Sequence, residues 1–342
     1  MIGVPRLRGF VFPESGLWQD LVKAYVPDRM TQSLDRERAL ILANPRARLA
    51  GASEWRSVAV GEMERRYATE LAEPRDAADT TRLAHEAAAR GYAVVAAAGG
   101  DGTVNAVARG IAGTATALGV LPLGSANDLA REYAISSSIE LAARRIAERE
   151  PRSIDLGDVD GQIFCGVGGL ALVARATLAV TRVKQRGGIS QRIAGLLGRH
   201  VYRISATAAL LGTWRIDDRV RIDYLDVERG DRLQFETFAS AVFVTNHRTL
   251  GGGMVLPVDA KPGDGVLELC YVPSRPRHSL MLNFARLSAG ATIPPGVLVS
   301  VRATEATIET SREDAFVADG ELLSRGRRFR VRVMPRALRI IV

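Results

Sequence analysis

Residues 92–127 read Tyr92-Ala-Val-Val-Ala-Ala-Ala-Gly-Gly-Asp101-Gly-Thr-Val-Asn-Ala-Val-Ala-Arg-Gly-Ile111-Ala-Gly113-Thr-Ala-Thr-Ala117-Leu-Gly-Val-Leu121-Pro-Leu-Gly124-Ser-Ala-Asn127. Their punctuation decides the fold. An apolar run of seven residues is long enough for a buried strand and too short for a buried helix. A Gly-rich turn (residues 99–103) follows it. A helical pattern over residues 104–111 then sets Val104, Val107 and Ile111 on one side. The same order recurs at once: a strand over residues 117–121, a turn over 122–127 and a helix over 128–133. Strand, loop and helix repeated at this spacing predict a parallel α/β layer.

Upstream, residues 38–45 form an apolar run closed by Asn44-Pro45, and residues 76–90 form a helix stopped by Gly91. Past residue 150 the period changes. Short β-rich runs at 220–227, 235–245 and 266–269 are separated by Gly, Asp and Asn, as in an antiparallel sandwich or barrel. Residues 182–211 read as an inserted helix pair and 277–287 as another helix. Residues 328–342 alternate basic and apolar positions like a strand pair. The turn in residues 166–171 (Gly166-Val-Gly168-Gly-Leu-Ala171) matches a dinucleotide fingerprint only superficially. No acidic residue follows at the distance a ribose contact needs, so it reads as a close-packed turn. Residues 1–36 form an N-terminal extension of unknown role. Within it, residues 13–26 could be a helix with Leu17, Trp18, Leu21 and Tyr25 on one side. Packing against the main body is preferred there, because basic residues do not line its polar face.

The chain has 342 residues, which suggests two domains, and its 47% hydrophobic content excludes wholesale disorder. The formal charge is +8, and only three of 46 basic residues are lysines (Lys23, Lys184, Lys261). Arginine suits two-pronged recognition of phosphate or carboxylate, but codon bias yields the same excess. Cys165 and Cys270 lack metal-type spacing, so neither a disulfide scaffold nor a cysteine zinc site is expected. No run is apolar enough to span a membrane, and no secretory signal is seen. A soluble, intracellular protein is the expectation.

The two turns carry the chemistry. Each lies between a buried strand and a helix, where free N–H groups and the positive helix end favour phosphate. Glycines let backbone approach an anion, Thr103 adds a hydroxyl, and Asp101 suits a sugar hydroxyl or a metal. A P-loop is absent, since no lysine follows a glycine. Farther on, Asp319-Gly-Glu321 sets two carboxylates around a glycine; if extended, both face one side, and an ordinary Asp-Gly hairpin is the alternative. The segment 251–257 together with Asp264-Gly265 reads as an ion-wrapping loop or a set of β-turns. His85, His200, His247 and His278 show no ligand spacing and read as surface or satisfied core residues.

Taken in order, Asn44-Pro45, residues 99–105, residues 121–128 and Asp319-Gly-Glu321 resemble the diacylglycerol kinase catalytic family. Asn246, the glycines at 251–253, Pro257, Ala260 and Asp264-Gly265 match that family's second domain. The resemblance implies two domains, a parallel α/β nucleotide-binding domain (37–152) and an antiparallel β-sandwich (153–332), with the active site in the cleft between them. The final strand, 333–342, would return to the first domain. ATP and Mg²⁺ are the implied cofactors. Gly99, Gly100, Asp101, Gly102, Thr103, Val104 and Asn105 would bind the phosphates and ribose, and Ser125, Asn127 and Asp128 would complete the nucleotide site. Asn44, Pro45, Arg46, Ala47 and Arg48 would add a further contact. Asp319 and Glu321 would be the catalytic carboxylates. Asp264, with the carbonyls of Lys261 and Val266, would hold a structural Mg²⁺. Ala106, Gly166 and Val173 depart from the family's usual Glu, Asn and Asp.

The function this implies is ATP-dependent phosphorylation of a hydroxyl on diacylglycerol or a related lipid, at the inner face of the membrane, by a cytoplasmic protein. A catalytically degenerate nucleotide- or lipid-binding protein is the alternative, and an NAD kinase a more distant one. A nucleic-acid partner is not expected, because basic residues are scattered and aromatic ones few. A homodimer is left open.

Overall fold

A computed structural model describes residues 36–45, 54–185, 200–212, 217–251 and 253–342. The expected helix at 13–26, and Arg46, Ala47 and Arg48, lie outside the described residues. From Arg38 to Val342 the chain is one compact unit with the expected two-part architecture.

The first part is parallel. Strands β1 (Arg38–Ala43), β2 (Ala68–Ala72), β3 (Val94–Gly99) and β4 (Ala117–Pro122) lie in the spatial order β2-β1-β3-β4. Helices α1 (Glu54–Met63), α2 (Ala77–Ala89) and α3 (Asp101–Ile111) connect them. The first crossover runs outward from β1 and the next strand returns to the other side of it. The β1/β3 boundary is therefore the switch point at which open sheets hold ligands beyond their carboxyl ends. Every residue of β3 and β4 is buried, which explains their unbroken apolar runs. Ile111, Leu118 and Leu121 are among the fully buried side chains, each worth about 1.5–3 kcal/mol of burial. Short α4 (Asp128–Glu132) and α5 (Ile139–Glu148) follow. Helix α3 begins at Asp101, three residues before its predicted start, so Asp101, Gly102 and Thr103 form its first turn.

The second part is antiparallel. Strands β5 (Pro151–Val159) and β6 (Gln162–Phe164) form a hairpin, and β7 (Val167–Ala171) pairs with β9 (Arg232–Thr245). Strand β8 (Asp218–Asp226) and β12 (Leu267–Pro273) also pair with β9; β10 (Thr249–Leu250) and β11 (Met254–Val255) make a small separate ribbon. Residues 167–171 are thus a strand, not a turn. Close packing does hold there: a Cβ on Gly168 would lie 2.6 Å from the Phe316 ring. Helices α6 (Leu172–Gln185), α7 (His200–Gly212) and α8 (Arg277–Ser288) flank these strands.

Two long strands, β13 (Val299–Ala318) and β14 (Glu321–Ile341), form a hairpin through Asp319 and Gly320. Instead of the predicted strand pair, residues 328–341 belong to this single strand. Its far end pairs in parallel with β4, Arg339 opposite Ala117 and Ile340 opposite Leu118. It also pairs antiparallel with β5 over its second half, from Val331 to Ile341. Leu338, Ile340 and Ile341 are buried in the core of the first part.

Candidate active site

The site is built where β3 and β4 end. Gly100 caps α3 with extended backbone, so the helix opens directly off the sheet edge and its first N–H groups have no intrahelical acceptor. The two turns touch. A Cβ on Gly124 would lie 2.4 Å from Gly100 Cα, and Leu123 N–H donates to the Gly99 carbonyl at 2.9 Å. Asp101 ties them further, accepting N–H bonds from Asn127 (3.0 Å) and Asp128 (2.6 Å). Asn44 Nδ2 donates to Thr103 Oγ1 at 3.2 Å, joining the β1 and β3 ends across the switch point.

The predicted nucleotide residues divide into groups. Gly99, Gly100, Asp101, Gly102 and Thr103 form the β3–α3 turn, with Ser125 exposed beside it. Pro45 is exposed at the end of β1. Val104 is buried in the hydrophobic core, so its side chain is unavailable to a nucleotide. Asn127, in left-handed backbone (φ 51°), spends its amide on Gly124, accepting from N–H at 3.1 Å and donating to the carbonyl at 2.9 Å. Asn105 is buried, and its Nδ2 donates to the Asp319 carbonyl at 3.4 Å, linking α3 to the β13–β14 hairpin.

Asp319 also adopts left-handed backbone (φ 51°), so the Asp-Gly-Glu segment is a turn and not an extended run. The two carboxylates consequently part. Asp319 turns inward, its oxygens accepting N–H bonds from Cys165 (2.7 Å) and Gly166 (2.9 Å). Glu321 lies over the first turn of α3, its Oε1 4.0 Å from where a Gly102 Cβ would be, and pairs with Arg109 at 2.8 Å. Burial pushes the Asp319 carboxyl up to about 6, against the two N–H donors and Arg109. Burial, then the Asp101 charge, pushes Asp128 up to about 7. Asp128 Oδ1 is buried without a hydrogen-bond partner.

Asp101, Asp128 and Asp319 share the polar end of a cavity of about 210 Å³. The rest of that cavity is mostly apolar: Val173 of α6, Leu210 of α7, Phe243, Leu256, Phe284 of α8 and Leu298 face it, with Thr177, Ser240 and Asn283 as polar exceptions. His247 stands at the same polar end, 3% exposed, with Nδ1 unpaired and 3.8 Å from Glu132 Oε2. The satisfied-histidine reading therefore fails for His247. Arg109 and Glu132, which the sequence analysis did not single out, stand beside Glu321 and His247 respectively.

Around Asp264 the expected ligand atoms already have partners within the protein. Arg302 already pairs with the Asp264 carboxylate and lies 3.4 Å from Glu268. The Lys261 carbonyl accepts from Asp264 N–H at 3.4 Å, and Asp264 Oδ1 accepts from Val266 N–H at 3.1 Å. The Asp264 carboxylate and the Lys261 carbonyl are thus engaged by a guanidinium and by their own loop. Buried Asp155 holds the same loop, accepting from Gly263 (2.9 Å), Gly265 (2.6 Å) and Arg336 (2.7 Å) N–H groups.

Comparison with known proteins agrees with this architecture. The family model described as the diacylglycerol kinase catalytic domain matches residues 38–159, and the YegS C-terminal NAD kinase beta sandwich-like domain matches residues 182–342. A Pseudomonas aeruginosa protein named "Probable lipid kinase YegS-like" is 30% identical over 312 residues, covering 90% of this chain and 95% of its own length. A Cronobacter sakazakii protein of the same name is 32% identical over 284 residues, 76% of this chain and 81% of its own. The crystal structure of a diacylglycerol kinase from Bacillus anthracis superposes with a TM-score of 0.67 at 19% identity, over 90% of this chain and 97% of that one. The chain belongs to the diacylglycerol kinase catalytic-domain family, in the two-domain form of the YegS-like proteins.

Proposed function

We propose that this protein is an ATP-dependent lipid kinase that transfers the γ-phosphoryl group to a hydroxyl of diacylglycerol or a related lipid drawn from a membrane surface. The observation that carries the reading is a cavity, mostly apolar along its length, whose charged lining residues among those described gather at the end that abuts the Gly-rich start of α3. An acyl chain suits the apolar walls, which places a lipid's hydroxyl at the polar end. The triphosphate suits the touching turns and the positive end of α3.

Asp319 is the carboxylate that the acceptor hydroxyl meets. Two backbone N–H groups fix its orientation, and its raised pKa matches it to proton transfer near neutral pH. The hydroxyl proton passes to Asp319, the oxygen bonds the γ-phosphorus, and the bond to the β–γ bridging oxygen breaks with its electron pair leaving on the nucleoside diphosphate. Glu321 is less suited to that task, since Arg109 already neutralises it. Together they set the electrostatics beside the phosphate turn. The unpaired Asp128 Oδ1 fits a hard cation. Mg²⁺ carried by the triphosphate would offset the negative charge gathered by three carboxylates and the phosphates.

Val173 favours a second reading, a protein that binds nucleotide and lipid without turnover, because an apolar side chain lines the cavity where the family has a carboxylate. Incubating the purified full chain with labelled Mg·ATP and fractionated membrane lipids separates the two. A labelled lipid is expected, and Asp319→Asn should lower kcat strongly with ATP affinity nearly unchanged. ATP binding by calorimetry with no labelled product from any fraction would select the binding-only reading.

A further inference from the structure

The polar end of the cavity holds a group that phosphoryl transfer to a single hydroxyl leaves unexplained. His247 lies two residues past the end of strand β9 and reaches back over Gly166, which precedes β7. A Cβ at Gly166 would lie 2.4 Å from His247 Nε2 and 2.9 Å from Asp319 Oδ1. Any side chain at position 166 would therefore displace the imidazole, and its absence lets Nε2 and the carboxylate flank one narrow gap. Both residues line the cavity.

The hydrogen-bonding character of that gap follows from its surroundings. Burial holds the His247 pKa below its ordinary value, against the opposing charge of Glu132, so the imidazole is neutral near pH 7. A neutral imidazole carries one N–H. Glu132, itself fixed by the Thr249 N–H (3.1 Å) and hydroxyl (2.5 Å), stands on the Nδ1 side. Its negative charge favours the proton on Nδ1, which leaves a lone pair on Nε2. Asp319 is likewise an acceptor. The gap thus presents two hydrogen-bond acceptors and calls for two donors.

We propose that His247 and Asp319 together read the acceptor's head group, selecting lipids with two neighbouring hydrogen-bond donors, a vicinal diol or an amino alcohol, over lipids with one. One donor is the hydroxyl that meets Asp319 and is phosphorylated; its neighbour donates to His247 Nε2. The assignment rests on the lipid-kinase reading above. It makes His247 a substrate-touching residue and Glu132 a positioning residue that sets its tautomer.

The test compares two single-chain probes with the same acyl group, 1-monooleoylglycerol and 2-hydroxyethyl oleate, which offer two donors and one. Binding of each in detergent micelles is measured by calorimetry on the full chain, and phosphorylation with Mg·ATP is measured separately. One hydrogen bond of ordinary strength gives a preference of about tenfold for the diol. His247→Leu should bring the ratio close to one. Gly166→Ala, which keeps the histidine but pushes it from the gap, should do the same, with thermal melting confirming that each variant is folded. Equal use of both probes by the unaltered protein, or an unchanged ratio in both folded variants, overturns the proposal while the kinase reading stands. Selective diol binding that both variants abolish, with no phosphorylation of either probe, upholds the head-group assignment and removes the kinase reading.

Discussion

Replacing Gly124 by alanine isolates the contact between the two turns that are proposed to hold phosphate. The new Cβ would sit 2.4 Å from Gly100 Cα and 2.6 Å from Asn127 Oδ1, against about 3.5–4.0 Å for unstrained carbon contacts. The first neighbour is backbone and cannot rotate away. Relief requires the β3 and β4 turns to part by about 1 Å, stretching the Leu123–Gly99 bond and disturbing the Asn127 side chain that closes the second turn. Overpacking of this kind costs about 1–3 kcal/mol. If the two turns form one phosphate site, ATP affinity should fall about tenfold or more, since binding would either restore the strained spacing or forgo contacts. Gly61→Ala is the matched control. Gly61 lies exposed in α1 with nothing within 4 Å of a Cβ, so the same added methyl should stabilise by about 0.5–1 kcal/mol and leave ATP binding alone. Calorimetric titration with Mg·ATP and thermal melting read both effects. Unaltered affinity and melting in Gly124→Ala would refute the idea that these turns act as one site.

Other outcomes follow from the same geometry. Phosphoryl transfer should decline as pH falls through about 6, where Asp319 takes up a proton; a rate profile flat down to pH 5 would exclude it as the base. The same raised pKa has the opposite sign for stability. The folded state holds that proton more tightly than the unfolded one, so this group's contribution is greatest below about pH 4 and is lost as pH rises through about 6. Asp155→Ala removes the acceptor of three backbone N–H groups in a fully buried position and should cost about 3–5 kcal/mol in urea denaturation. Arg302→Gln should lower stability by about 1 kcal/mol, since the arginine is partly exposed. The unaltered chain without nucleotide should melt at the same temperature with and without Mg²⁺.

The parallel layer was legible because its signals are local. An apolar run with no polar interruption, as in β3, means burial on both faces, and a glycine cluster after it means a helix start close to the sheet edge. What failed was whatever depends on distant partners or on one residue's backbone angle. Helix α3 starts at Asp101 because Gly and Asp tolerate a first turn as well as a loop. Asp319 and Glu321 would face one side only in an extended segment; the alternative Asp-Gly hairpin is what forms, and left-handed backbone at Asp319 sends them to separate partners. Strand β14 was taken for two strands because 21 residues far exceed an ordinary strand. His247 was read as a surface or satisfied core residue because its place in the cavity depends on an empty space at Gly166, 81 positions earlier. Such a vacancy leaves no mark in a local pattern.

The return of β14 to β4 has a consequence for how the polypeptide acquires its shape. During synthesis the Ala117 edge emerges long before Arg339, yet its neighbour in the sheet is among the last residues made. The parallel half therefore waits, with the apolar surface that Leu338, Ile340 and Ile341 will cover still open, until the β-rich half has been made. Loops of this length close slowly, and an exposed strand edge in the interval invites pairing with the wrong chain. A chain cut at residue 332 should for that reason lose the first half as well as the tail, and depend on chaperones from its first hundred residues onward.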